Sequence, residues 1–160
     1  MSRQTAAIDM AAFVRCCQQE TALLQQLYAL LQDEQKAVVT MAAAELIKLA
    51  ASKEVLLADL AAAGQVRAAL MRDAGLVDDA SLRLWLGAQP EALAAWTSLE
   101  SALTQARAYN DVNASLAAER ADFADAALGL LVEAARTTGS YGRDGAPTGS
   151  GTSSRKLGSA

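Results

Sequence analysis

The stretch from Pro90 to Arg136 constrains the fold of this chain most. It contains no proline after its first residue and no glycine before Gly129. Apolar and small side chains recur in it at alternating intervals of three and four residues, the spacing of a coiled-coil seam. The seam positions are Trp96, Leu99, Leu103, Ala106, Asn110, Asn113, Ala117, Arg120, Ala124, Ala127, Leu131 and Ala134. The spacing predicts one long helix over residues 90–136, about 70 Å in length.

Composition extends this prediction to the rest of the chain. The 160 residues include 38 Ala and 23 Leu but only 2 Pro, and most of the 10 Gly lie in the last 25 residues. Because Ala and Leu are among the best helix formers and few helix breakers interrupt them, an all-α fold is expected.

Three further helices are predicted, over about residues 6–36, 42–73 and 79–86. The short connection near Val38–Thr40, with Thr40 as a candidate N-cap, makes the first two an antiparallel hairpin. Gly64 would mark a kink or a break in the second helix. The predicted fold class is therefore long antiparallel helices forming an extended coiled coil or helical bundle.

The composition changes after Arg136, where glycine, serine and threonine replace the apolar seams. We expect a helical domain over residues 1–136 and a flexible tail over residues 137–160, because the tail cannot bury enough apolar surface to offset its ordering entropy. Tyr141 is the only aromatic residue of this tail. It is either neutral or part of a short docking motif.

Polar residues occupy several seam positions of the long helices. They are Glu20, Glu34 and Lys53 in the first two helices, and Asn110, Asn113 and Arg120 in the last. Because an unpaired buried polar group costs roughly 1–3 kcal/mol, we expect them to pair across helices and fix the register. The alternative is that some of them face a groove that awaits a partner.

The residue inventory argues against several chemistries. There is no histidine, and the two cysteines, Cys16 and Cys17, are adjacent. Neither a metal site nor a nucleophilic catalytic site is indicated, so no enzyme activity, metal or cofactor is expected. The net charge of −4 without a basic stripe argues against nucleic acid. No uncharged apolar run approaches the ~20 residues of a membrane span, and no signal peptide is visible, so membrane insertion is not expected. Free cysteines in an apolar stretch fit a reducing cytosol.

Long helices of this kind have three uses, which periodicity alone does not separate. They fold into a closed bundle, they self-associate, or they offer an apolar groove to a partner helix.

Several short patterns, in this order, make the chain resemble the FlgN-type flagellar export chaperones over nearly its whole length. They are Leu30-Leu31-x-x-Glu34-x-x-Ala37, Leu46-x-x-Leu49-x-x-x-Lys53-x-x-Leu56-Leu57-x-x-Leu60, Asn110-x-x-Asn113-x-x-Leu116, Tyr141-Gly142-x-x-Gly145 and Arg155-Lys156-Leu157-Gly158. One departure is Ala114, where glycine is frequent in the family.

The resemblance implies a cytosolic, non-enzymatic protein that binds the C-terminal helices of hook-associated proteins. It would keep these proteins unassembled and escort them to the flagellar type III export gate. The expected cargo-binding residues are Leu103, Asn110, Asn113, Leu116, Phe123, Leu130 and Leu131. The two asparagines are expected first to fix the alignment of the helices and second to contact the partner. Tyr141 would dock to the export apparatus. The alternative is a self-associating structural coiled-coil protein, and the oligomeric state stays open.

Overall fold

The chain forms four α-helices in a computed structural model that describes the backbone of residues 9–140 and the side chains of residues 9–136. They are α1 (Met10–Val39), α2 (Ala43–Asp73), α3 (Asp79–Gly87) and α4 (Pro90–Ser140). No strand occurs within residues 9–140. The predicted all-α class is confirmed. By its internal contacts the chain divides within α4, between Ala121 and Asp122.

The turn between α1 and α2 differs from the sequence prediction. Thr40 is the C-cap of α1, and its hydroxyl donates to the carbonyl of Lys36 at 2.8 Å. Ala42 stands at the N-cap of α2 without any side-chain hydrogen bond. The prediction of Thr40 as an N-cap is therefore wrong. The backbone instead closes a Schellman motif, in which Met41 takes the left-handed conformation with φ 55°.

The helix boundaries otherwise lie close to those expected. Asp9 caps α1 through a bond from the Ala12 amide, and Asp78 caps α3 in a reciprocal capping box with Ser81. α2 continues through Gly64, so a break, one of the two alternatives given for that position, does not occur. The described part of α4 extends to Ser140, four residues past the predicted boundary at Arg136.

Polar and aromatic contacts define the helix directions in the part of the chain up to Ala121. Glu34 pairs with Lys53 and Glu20 with Arg67, so α1 and α2 run antiparallel. The rings of Tyr28 and Tyr109 lie 5.1 Å apart. Phe13 contacts Trp96, and Leu31, later in α1, contacts Asn113, later in α4. Residue numbers therefore increase in the same direction along both helices, so α4 runs parallel to α1.

The core follows one face of α1 and is closed by α3 and α4. Phe13 is fully buried, and its ring lies 5.0 Å from that of Trp85 and 6.1 Å from that of Trp96. The buried cluster comprises Phe13, Val14, Cys17, Leu24, Leu27, Leu31, Leu82, Leu86, Ala92, Leu99 and Ala106. Phe13, Trp85 and Trp96 thus form an aromatic cluster that joins α1, α3 and α4.

Candidate functional site

A polar network joins the three long helices at one level of the seam. The ammonium of Lys53 on α2 lies 3.1 and 3.2 Å from the two carboxylate oxygens of Glu34 on α1. Asn113 on α4 donates from Nδ2 to the same carboxylate at 2.9 Å and to the backbone carbonyl of Leu31 at 2.8 Å. The expected pairing of seam residues across helices is confirmed for these three side chains.

Asn113 is fixed in orientation by this arrangement. Its side chain is 3% exposed, and both of its described hydrogen bonds use Nδ2. Turning the amide over would place its oxygen against two acceptors, so the orientation is determined by the neighbours. The buried Oδ1 has no hydrogen-bond partner within the described residues. Asn113 therefore fixes the alignment of α4 against α1.

A second ion pair lies further along the hairpin. The guanidinium of Arg67 on α2 donates to the buried carboxylate of Glu20 through two nitrogens, with an Nη2–Oε2 distance of 3.2 Å. The same guanidinium lies 5.1 Å from the centre of the Trp96 ring on α4. Glu20 was expected to pair across helices, and Arg67 is its partner.

An apolar groove lies over α1 between α2 and α4. We call it the α2–α4 groove, and it encloses about 260 Å³. It is lined by Leu24, Leu27, Leu57, Leu60, Leu103 and Ala106, with Lys53, Arg107, Asn110 and Asp111 as its polar residues. Two of the expected cargo residues, Leu103 and Asn110, thus share one groove. Arg107, Leu57 and Leu60 were not predicted as site residues. Leu57 and Leu60 do belong to the regularly spaced leucines of the second helix, which is the signal that could have found them.

The other expected cargo residues of the first part of the chain occupy different positions. Asn113 is hydrogen-bonded to Leu31 and Glu34 of α1, and Leu116 is half-buried. Arg120, which was expected to pair across helices, has an exposed side chain.

The described part of α4 beyond Ala121 carries an exposed apolar segment. Phe123 is 65% exposed, Leu130 74% and Leu131 67%. The large side chains of Leu128 and Val132 are exposed as well. They were not predicted, although the uncharged run from Ala126 to Val132 is the signal that would have found them. A helix that is apolar on all sides is normally covered by another element or by a partner.

Chemically reactive groups are few among the described side chains. The pKa of Cys17 is raised to about 11 by burial, and the nearby Arg67 opposes part of this rise. The pKa of Asp78 is lowered by the Ser81 amide, which donates to its carboxylate. No group of three potential metal ligands occurs within residues 9–136. No helix of the described part is long and apolar enough to cross a membrane. Tyr141 lies outside the described residues.

The family model of the FlgN protein matches residues 9–149, which is most of the chain. A search of curated proteins and a search of solved structures gave no match. The family match includes all four helices and the exposed segment of α4. The chain therefore belongs to the FlgN family of flagellar export chaperones.

Proposed function

We propose that this chain is a cytosolic chaperone that binds the C-terminal amphipathic helices of hook-associated proteins. It keeps them from assembling prematurely and delivers them to the flagellar type III export gate. The observation that carries the proposal is the exposed apolar segment of α4, with Phe123, Leu130 and Leu131, in a chain of this family. An amphipathic cargo helix would cover these side chains without any need for nucleotide hydrolysis.

The α2–α4 groove offers a second cargo-binding surface. Leu103 forms part of its apolar lining, and Asn110 is a half-buried polar group beside it. Leu116 is half-buried further along α4 and adds apolar surface. Asn113 serves cargo binding indirectly, because its hydrogen bonds set the position of α4. Tyr141 is proposed to dock to the export apparatus, separately from the cargo surface.

The test is titration of the full chain with a hook-associated protein, with calorimetry for affinity and light scattering for mass. We expect a 1:1 complex that is lost when the C-terminal helix of the cargo is removed. Leu130→Glu should weaken binding by about tenfold or more, since it places a charge in an apolar interface. The matched control is Leu84→Glu on α3, whose side chain is 81% exposed and outside the proposed surface.

Export and cargo binding are separable in this proposal. Tyr141→Ala should reduce secretion of the cargo while its affinity stays within about threefold. A large loss of affinity would place Tyr141 in the cargo-binding surface instead.

The alternative is a structural protein that self-associates through the same apolar segment of α4. It predicts no complex with any hook-associated protein, together with oligomers that Leu130→Glu dissociates. That pair of results would replace the chaperone proposal.

A further inference from the structure

A crevice separates α3 from the first turns of α4, away from both proposed cargo surfaces. We call it the α3–α4 crevice, and it encloses about 460 Å³. None of its lining residues lines the α2–α4 groove. Positions three or four residues apart on each helix form its two walls, so each helix turns one continuous face toward it. The walls include Asp79, Arg83 and Gly87 of α3, and Leu93, Trp96 and Glu100 of α4.

The end of the crevice near the turn between α3 and α4 is apolar and has free space. Gly87 is the last residue of α3, and a Cβ added to it would meet no heavy atom within 4 Å. Leu93 is a large apolar residue of the facing wall, yet it is 43% exposed. Trp96, on the same wall, is half-buried. This end therefore offers both space and apolar surface to one large apolar side chain of a partner.

The opposite end of the crevice carries a carboxylate without a counter-charge. Nε of Arg83 lies 2.7 Å from a carboxylate oxygen of Asp79, one turn away on α3, so these two charges balance each other. Glu100 is exposed on α4 and forms no ion pair within the described side chains. A cation of a partner would find its counter-charge at Glu100.

The surroundings of the crevice have the same sign of charge. Between the end of α2 and Glu100, residues 74–100 contain four acidic side chains and a single basic one, Arg83. This short segment thus holds a net charge of −3, whereas the whole chain holds −4. An acidic surface repels the phosphates of nucleic acids and of anionic lipids, and it attracts a basic protein segment.

We infer that the α3–α4 crevice is a docking site for a basic amphipathic segment of a partner protein. A large apolar side chain of that segment lies between Gly87 and Leu93, and a Lys or Arg one helical turn later pairs with Glu100. Leu93 and Glu100 are about 10 Å apart along α4, which one helical turn and a long basic side chain together span. The inference does not depend on the proposed cargo, since it uses a different surface.

The test is an NMR titration of the full chain, labelled with ¹⁵N, with a designed peptide. The probe is a helix of alanine and glutamine with one leucine and, four residues later, one arginine. We expect it to shift the indole signal of Trp96 and the backbone amides of Gly87 and Leu93 at peptide concentrations up to about 1 mM. Alanine in place of the leucine should weaken binding by about fivefold or more. Glutamine in place of the arginine should weaken it by about threefold.

Two pairs of variants locate the two contacts. Glu100→Gln should abolish the preference for arginine and keep the preference for leucine. Its control is Glu91→Gln, an exposed residue of the same helix outside the crevice, which should keep both preferences. Leu93→Gln should weaken binding of the probe by about fivefold, whereas Leu84→Gln, at a side chain 81% exposed on α3 and outside the crevice, should not. Circular dichroism confirms that each variant is folded.

The absence of any shift at Trp96 would overturn the inference. So would a preference for arginine that survives Glu100→Gln, or shifts confined to the α2–α4 groove. A change in the mass of the free chain on Leu93→Gln would assign the crevice to a contact between copies instead. Leu130→Glu keeps this proposal apart from the chaperone proposal, because that variant should bind the probe as the unmodified chain does.

Discussion

The amide nitrogen of Asn113 on α4 lies 2.9 Å from Oε2 of Glu34 on α1. The same carboxylate holds the Lys53 ammonium of α2. One acidic side chain of α1 therefore receives a donor from each of the other two long helices.

Asn113→Ala should lower the free energy of unfolding by about 1–3 kcal/mol. The substitution removes the donor to the Leu31 carbonyl and to Glu34 in a buried position. Urea unfolding followed by circular dichroism measures the change. Asn110→Ala is the matched control, since Asn110 is half-buried in the α2–α4 groove. Equal losses in the two variants would contradict the role of Asn113 in fixing the alignment.

Met41→Gly should raise the free energy of unfolding by about 1 kcal/mol. Met41 has φ 55° and is 54% exposed, so glycine relieves the left-handed strain and sacrifices little contact. Gly75 occupies the equivalent position after α2 with φ 78°, and Gly75→Ala should cost a similar amount. Thermal unfolding of both variants provides the measurement. Shifts of the same sign in both would refute the assignment of strain.

Gly64→Ala should stabilise the chain by about 0.5–1 kcal/mol. An added Cβ would lie 3.5 Å from Oε2 of Glu20, which is an ordinary van der Waals distance. The control is Gly87→Ala, at the last residue of α3, where the gain from helix propensity is smaller. A loss of stability in denaturant titrations of Gly64→Ala would mean that the Glu20–Arg67 pair needs the space.

The two adjacent thiols should differ strongly in reactivity. Cys16 is half-buried, whereas Cys17 is fully buried with its pKa raised to about 11. At pH 8 a thiol reagent should label one site in the folded chain and two in denaturant. Mass spectrometry of the labelled peptides identifies the site. Rapid labelling of Cys17 under native conditions would show that the seam opens there.

The raised pKa of Cys17 also makes stability depend on alkaline pH. Below pH 9 the thiol is protonated in both the folded and the unfolded chain. Between pH 9 and about 11 the unfolded chain loses this proton while the folded chain keeps it, so stability falls as pH rises. Cys17→Ala should flatten this part of the stability curve, and an unchanged slope would assign it to other groups.

The hairpin could be predicted from sequence because polar residues on the seam of one helix pair with polar residues on the seam of the other. Glu34 lies on the first helix of the hairpin and Lys53 on the second. Few alignments of the two helices bury both side chains and also pair them with each other. The possible break at Gly64 does not occur, since propensity describes an isolated helix and packing against α1 decides whether α2 continues. Thr40 was wrongly predicted as an N-cap, because its hydroxyl bonds back to the last turn of α1.

Exposure could not be predicted in the same way. Leu103 and Leu131 both belong to the predicted seam of α4, yet Leu103 packs against the core cluster and Leu131 is 67% exposed. The pattern shows which side chains are able to be buried, and the presence of another helix decides which of them are.

The shared carboxylate of Glu34 has a consequence for how the bundle opens. Neither α2 nor α4 can swing away from α1 at this level without leaving a charge or an amide unsatisfied in apolar surroundings. Backbone amides near Leu31, Lys53 and Asn113 should therefore exchange with deuterium at a common rate, as parts of one cooperative unit. The outer turns of each helix remain free to fray on their own.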